Sequence, residues 1–448
     1  MSPTNLMRKV VSPRSIRLQS SAARRKPAGY TLIEVLIGVT LTLILLSVMI
    51  RAFTVAGDAI SKGRAVMELS GELRSASETL RHDLRSATVR FLPWSATGTD
   101  EGYFEMFEGP TRDNSFIGAT DATNNNAILN SYGDGDDMIM LTARNLDHPY
   151  QGLYNGTVVE SKVAEIIWWT VLNDQNGDGQ LNSNETITLH RRVLLVMPQL
   201  NNANGFLTSG VTIPAFLQFN DISVHVDANG NLVANTLADL SKRENRFGHY
   251  PTVAPFAVLP FTAFPYPLNR AYLNSLVLQD SRQGEDVVLS NIAAFDAKVF
   301  DPGAVIKGYP LPSGEGVAVT PEDPGYVAPA ATAIGMGTYV DLNYFGNSNL
   351  SFFSGPPNAK SQLGQNVYCT WSSSYERDGI DQDGIAGPDQ GTDGLDNDGA
   401  HGADDEAERE TSPPYPYPLR GVQVTFRVRD PASQQIRQTS VESSFVPE

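Results

Sequence analysis

The densest chemistry in this sequence lies in runs of alternating oxygen-bearing side chains. Asp174-Gln-Asn176-Gly-Asp178-Gly179-Gln180-Leu-Asn182-Ser-Asn-Glu185 satisfies the spacing D-x-[DN]-x-[DN]-G-x5-E in full. Asp174, Asn176 and Asp178 would turn their oxygens into one cavity, Gly179 would permit the tight bend, the carbonyl of Gln180 would add a ligand, and Glu185 would close the site with two oxygens. That is calcium chelation. The competing reading is a solvent turn of the Asn/Gly/Asp kind that any long hairpin uses, and the complete twelve-residue spacing favours calcium. A second acidic stretch, residues 376–410, contains Asp378-Gly-Ile-Asp381-Gln-Asp383-Gly384, echoed fifteen residues later by Asp393-Gly-Leu-Asp396-Asn-Asp398-Gly399. Thirteen acids there face only Arg377 and Arg409. Like charges would keep this stretch expanded unless cations neutralise it. If calcium does so, Ile380, Ile385 and Leu395 would be its small buried pegs; an acidic surface loop is the equal alternative.

Catalytic patterns are missing. The six histidines, His82, His148, His190, His225, His249 and His401, show no zinc-ligand spacing, and neither a nucleophile elbow nor a phosphate-binding glycine loop is present. His190 and His225 fall in strand-like runs and read as satisfied or exposed sheet residues. Trp168 and Trp169 are adjacent, so one is expected in a core and the other facing out.

One further carboxylate is out of place. Glu34 sits inside Tyr30–Ile50, an apolar run of the length that spans a bilayer as a helix. A charge within a membrane span is costly and marks function by default. Cutting the chain after Gly29 would make Tyr30 a free amino terminus and Glu34 the fifth residue, in the first helical turn. There the helix dipole favours an acid, and the carboxylate can meet the new ammonium group of a neighbouring copy in low dielectric. The seven basic residues before the run, Arg8, Lys9, Arg14, Arg17, Arg24, Arg25 and Lys26, are accompanied by no acid. They orient the N-terminus to the cytoplasm and the chain beyond Arg51 to the outside.

The elements that would carry these groups are legible from periodicity. From Ala52 to about Val89, Val66, Leu69, Leu73, Ala76, Leu80, Leu84 and Ala87 recur at steps of three and four, an amphipathic continuation of the membrane helix that ends before Pro93. Beyond Pro93, short β-prone runs alternate with turn residues. Strands are expected at Met138–Ala143, Val163–Val171, Thr186–Val196, Asp221–Val226, Asp286–Leu289, Ala293–Phe300, Thr338–Leu342, Gly421–Val428 and near Thr439–Phe445. The fold class expected is α+β: one long N-terminal helix packed on an antiparallel β-sheet body, with large loop insertions at about 200–280 and 303–418. In outline, a basic leader fills 1–29, a transmembrane helix 30–51, its amphipathic continuation 52–92 and the β-rich body 93–448.

The chain of 448 residues carries a formal charge of −17, so loss of the basic leader would leave −24. Such a body disfavours nucleic acid as a partner. Cys369 is the single cysteine, which rules out an intrachain disulfide.

Lys26-Pro-Ala-Gly29 followed by Tyr30-Thr-Leu-Ile-Glu34-Val-Leu-Ile resembles the class III signal of type IV pilins and type II secretion pseudopilins. The resemblance implies that prepilin peptidase cuts after Gly29 and methylates Tyr30, and that Glu34 guides docking into a growing filament. Phenylalanine is usual where Tyr30 stands; the ring is retained. Arg81-His-Asp-Leu-Arg-Ser-Ala, Asn291–Pro302 and Gly421–Pro431 are similar to phrases of the larger minor members, the PilW and GspJ (J pseudopilin) groups. The expected role is a minor pilin or pseudopilin at a filament tip or as its initiator. It would be anchored in the bacterial inner membrane with its body in the periplasm, and would partner other pilin subunits. A surface-exposed adhesion or uptake subunit is the rival reading. A solitary anchored enzyme or sensor is disfavoured by the missing active-site pattern.

Overall fold

A computed structural model describes residues 29–95, 101–109, 134–175, 185–249 and most of 264–445. Helix α1 runs without interruption from Leu32 to Arg85. Compactness divides the chain between Ser61 and Lys62. In the first unit every large apolar side chain of the helix, from Leu32 to Ile60, is exposed, and the helix is long and apolar enough there to cross a membrane. In the second unit the amphipathic stripe emerges: Leu73, Ala76, Leu80 and Leu84 are buried at the spacing of one helical face. The helix ends short of residue 92, because Ala87 already bridges to Ala143 as extended chain.

That buried stripe belongs to the same core as a ten-stranded antiparallel sheet. Its strands are β1 (Phe104–Phe107), β2 (Met138–Arg144), β3 (Val163–Asn173), β4 (Thr186–Leu195), β5 (Val287–Pro310), β6 (Gly316–Val319), β7 (Thr332–Val340), β8 (Val367–Cys369), β9 (Gly421–Arg429) and β10 (Ile436–Ser444). The order across the sheet is β8-β1-β2-β3-β4-β5-β9-β10, with β6 and β7 pairing along β5. Strand β5 replaces the two expected strands at Asp286–Leu289 and Ala293–Phe300. Asn291, in left-handed backbone at φ 54°, sits among register shifts that bend the strand without ending it. Beyond Asp301 the strand continues against β7 after a further register shift.

At β3 both faces of the sheet are covered, which corrects the expectation for the adjacent tryptophans: Trp168 and Trp169 are both buried. Trp168 faces α1, its indole N–H donating to Asp83 Oδ2 at 2.8 Å. Arg191, the register partner of Trp168 on β4, reaches the same carboxylate with two hydrogen bonds of 2.7 and 2.8 Å. Trp169 faces the other way and packs against Phe247, ring centroids 5.9 Å apart. The 200–280 region therefore contributes to the core: Ile213, Phe216, Leu217, Leu240 and Phe247 all belong to it. Region 303–418 likewise returns to the main sheet as β8.

Candidate functional site

The first described residues are those singled out for processing. Gly29 has nothing within 4 Å of where a Cβ would stand, so packing does not demand glycine there. Tyr30 is 86% exposed. Thr31 caps the helix: Glu34 Oε2 accepts hydrogen bonds from the Thr31 amide and hydroxyl, both at 2.9 Å, and the Glu34 amide donates to Thr31 Oγ1 at 3.3 Å. This is the reciprocal arrangement of a capping box, spelled by Thr31-x-x-Glu34. The carboxylate read from sequence as a docking group thus also fixes where the helix begins. Cleavage after Gly29 would leave the Thr31 amide intact, so both uses are compatible.

Residues 24–50 match the prokaryotic N-terminal methylation motif. The match takes in Gly29, Tyr30, Glu34 and the apolar run to Ile50. The match supports a type IV pilin-like signal at this N-terminus, the kind that prepilin peptidase processes. No curated protein and no solved structure matches the chain.

The first calcium-type loop joins β3 to β4 at a hairpin tip. Asn176, Asp178 and Gln180 lie outside the described residues. At its ends stand Asp174 and Glu185; Glu185 is buried, and its Oε1 accepts from the Gln175 amide at 3.1 Å.

The second acidic stretch folds as two similar turns. Gly379 N donates to Asp389 Oδ1 at 3.0 Å, and, fifteen residues on, Gly394 N donates to Asp404 Oδ1 at 2.8 Å. Within the turns Asp378, Asp383, Asp393 and Asp398 each accept the amide two residues ahead, and Asp381 accepts that of Gly384. Three buried glutamates, Glu376, Glu408 and Glu410, knit the turns together. Glu376 accepts the Glu410 and Thr411 amides at 2.8 and 3.1 Å, and Glu410 those of Gln382 and Gln390, both at 3.3 Å. Asp396, Asp398 and Glu408 place one oxygen each within 4.8 Å of one another. Glu408 is absent from the local repeat, and only the fold brings it there. Ile380, Ile385 and Leu395 are 54%, 62% and 60% exposed, which overturns their reading as buried pegs. Amide-to-carboxylate bonds, not apolar contacts, order this stretch.

Sequence reasoning missed the deeply buried carboxylates altogether. Glu105 on β1 pairs with Arg243 at 2.6 Å, Arg246 at 2.8 Å and His249 at 3.3 Å. Burial alone would raise its pKa, but Arg243, His249 and Arg246 hold it well below the usual carboxylate range. Glu165 is satisfied by the Tyr103 and Ser223 hydroxyls and the Phe247 amide. Glu108 and Asp137 are pushed the other way, well up, first by burial and then by neighbouring aspartates. Among the histidines, His190 is buried with its Nδ1 3.2 Å from Asp286 Oδ1, and His225 bonds Asn235 at 2.5 Å.

Proposed function

We propose that this chain is a minor pilin or pseudopilin, closest in kind to the larger minor members. It would initiate or cap a type IV pilus-like or type II secretion filament, with its body on the periplasmic side. The observation that carries the reading is the methylation motif at 24–50, continuous with a 54-residue helix. The apolar half of that helix is covered by nothing in its own unit. Such a surface is stable only in lipid or among like helices. The filament core supplies the second environment when the membrane supplies the first.

Assembly depends on the helix start. The leader is removed after Gly29, Tyr30 becomes a methylated ammonium, and Glu34 of an incoming subunit pairs with it away from water. Calcium ordering the 174–185 loop and the 376–410 turns is part of the proposal, supported by the complete chelating spacing in the first and the Asp396, Asp398 and Glu408 grouping in the second. The test begins with mass spectrometry of the native protein, expected to find N-methylated Tyr30 as first residue. Glu34→Ala should then be cleaved normally yet fail to enter filaments. A native chain starting elsewhere, or normal incorporation of the variant, would sink the reading.

A further inference from the structure

Glu108 lies just beyond β1 and is 5% exposed, and among the described residues neither of its carboxylate oxygens accepts a hydrogen bond. A buried carboxylate without a partner is costly to keep ionised. Its neighbours make matters worse. One oxygen of Glu108 lies within 4.8 Å of oxygens from both Asp134, just before β2, and Asp341, just after β7, and those two lie within the same distance of each other. Asp134 is in turn grouped with Asp136 and Asp137. Asp137 has a structural task, accepting the Gly109 amide at 2.9 Å and the Ala297 amide at 2.7 Å, which ties the segment after β1 to β5. Lys298 Nζ lies 3.0 Å from Asp341 Oδ1 and 3.6 Å from Asp296 Oδ2.

We infer that Glu108, Asp134 and Asp341 form a buried binding site for a divalent cation, calcium, held in the body of the sheet and separate from both surface loops. Three oxygens no more than 4.8 Å apart surround a point at most about 2.8 Å from each, close to calcium–oxygen contact distances. The donor set is oxygen only, which selects a hard cation over zinc or copper. Full burial favours calcium over magnesium, which gives up its water shell reluctantly. The ligands come from three places far apart in the chain. Metal binding would therefore lock the end of β1, the entry to β2 and the exit of β7 to one another.

The site stands independently of the filament role and of the loop calcium, and the experiment separates them. Full-length protein in detergent is melted in calcium chloride and in chelator, as wild type and as Glu108→Gln. With a cation bound, wild type is the more stable in calcium. In chelator the order reverses, because the variant has one like charge fewer. Equilibrium dialysis finds one calcium fewer per chain in the variant. The same order of stability in both buffers, with equal calcium bound, overturns the site even if calcium stabilises both proteins through the loops. Should Glu108→Gln not fold, the count is made on a chain carrying Asp178→Asn, Glu185→Gln, Asp396→Asn and Asp398→Asn. With both loops impaired it still binds one calcium, and binding none overturns the inference.

Discussion

Glu105 and Glu108 are three residues apart, both buried, and in opposite electrostatic company. An odd spacing on extended chain sends side chains to opposite faces, and here each face meets a different part of the sequence. Glu105 meets Arg243, Arg246 and His249, brought from about 140 residues away. Glu108 is surrounded by Asp134, Asp137, Asp296 and Asp341. A carboxylate withdrawn from water persists as an ion only where positive charge offsets the lost hydration. For Glu105 the chain supplies that charge itself. Around Glu108 the described residues leave the carboxylate without a hydrogen bond; Lys298 reaches its neighbours Asp341 and Asp296, and the inferred calcium would supply the rest. Two acids of the same kind on one strand end thus differ: Glu105 is neutralised from within, whereas Glu108 sits among acids that Lys298 offsets only in part.

The largest effect separating them is expected at Glu105. Glu105→Gln leaves Arg243 and Arg246 buried without their counter-ion and should cost about 3–5 kcal/mol in denaturant unfolding, with calcium making no difference to the loss. The pH dependence has a defined sign. Because the folded pKa of Glu105 is depressed, its contribution is complete above the carboxylate range of the unfolded chain and disappears as pH falls toward the lower folded value. Wild type should therefore lose stability on acidification more steeply than Glu105→Gln. A flat difference between the two across that range would break the comparison. Next in size is Asp83→Asn, which takes the charge from the acceptor shared by Trp168 and Arg191 and should cost about 2 kcal/mol. The loss should be matched by weaker protection of helix amides near Leu80 in hydrogen exchange. Glu108→Gln has a smaller effect, stabilising in chelator and destabilising in calcium.

The helix is legible in sequence, because Leu73, Ala76, Leu80 and Leu84 repeat at the period of the face they bury. The strands at Met138, Val163, Thr186 and Gly421 begin where their β-branched and aromatic runs begin. Strand β5 reads as two because Ser290-Asn291 and Asp301-Pro-Gly look like turns, whereas register shifts absorb them within a paired strand. Phe104–Phe107 and Val367–Cys369 are too short to carry an alternation pattern, yet they complete one edge of the sheet. The Thr31-x-x-Glu34 cap is spelled out in the chain but is eclipsed by the question of why an acid lies in an apolar run. Neither buried acid site announces itself locally, since the partners of Glu105 and Glu108 are assembled only when strands distant in sequence align. Calcium-type spacing is visible along the chain; a site built across three strands is not.

The smallest expected effect bears on the other acid of the molecule that has two possible partners. In the single chain Glu34 serves Thr31; in a filament it would serve an ammonium group. Charge and capping can be taken apart, because glutamine completes a capping box as glutamate does. Glu34→Gln should leave the helix starting at Leu32 while removing the attraction for a neighbouring Tyr30 amine. Thr31→Ala does the reverse, losing about 1 kcal/mol of helix-start stability while keeping the charge. If docking depends on charge, Glu34→Gln fails to enter filaments and Thr31→Ala enters with a modest deficit. If both variants assemble equally poorly, the fixed helix start is what the filament reads, and the carboxylate acts within its own chain.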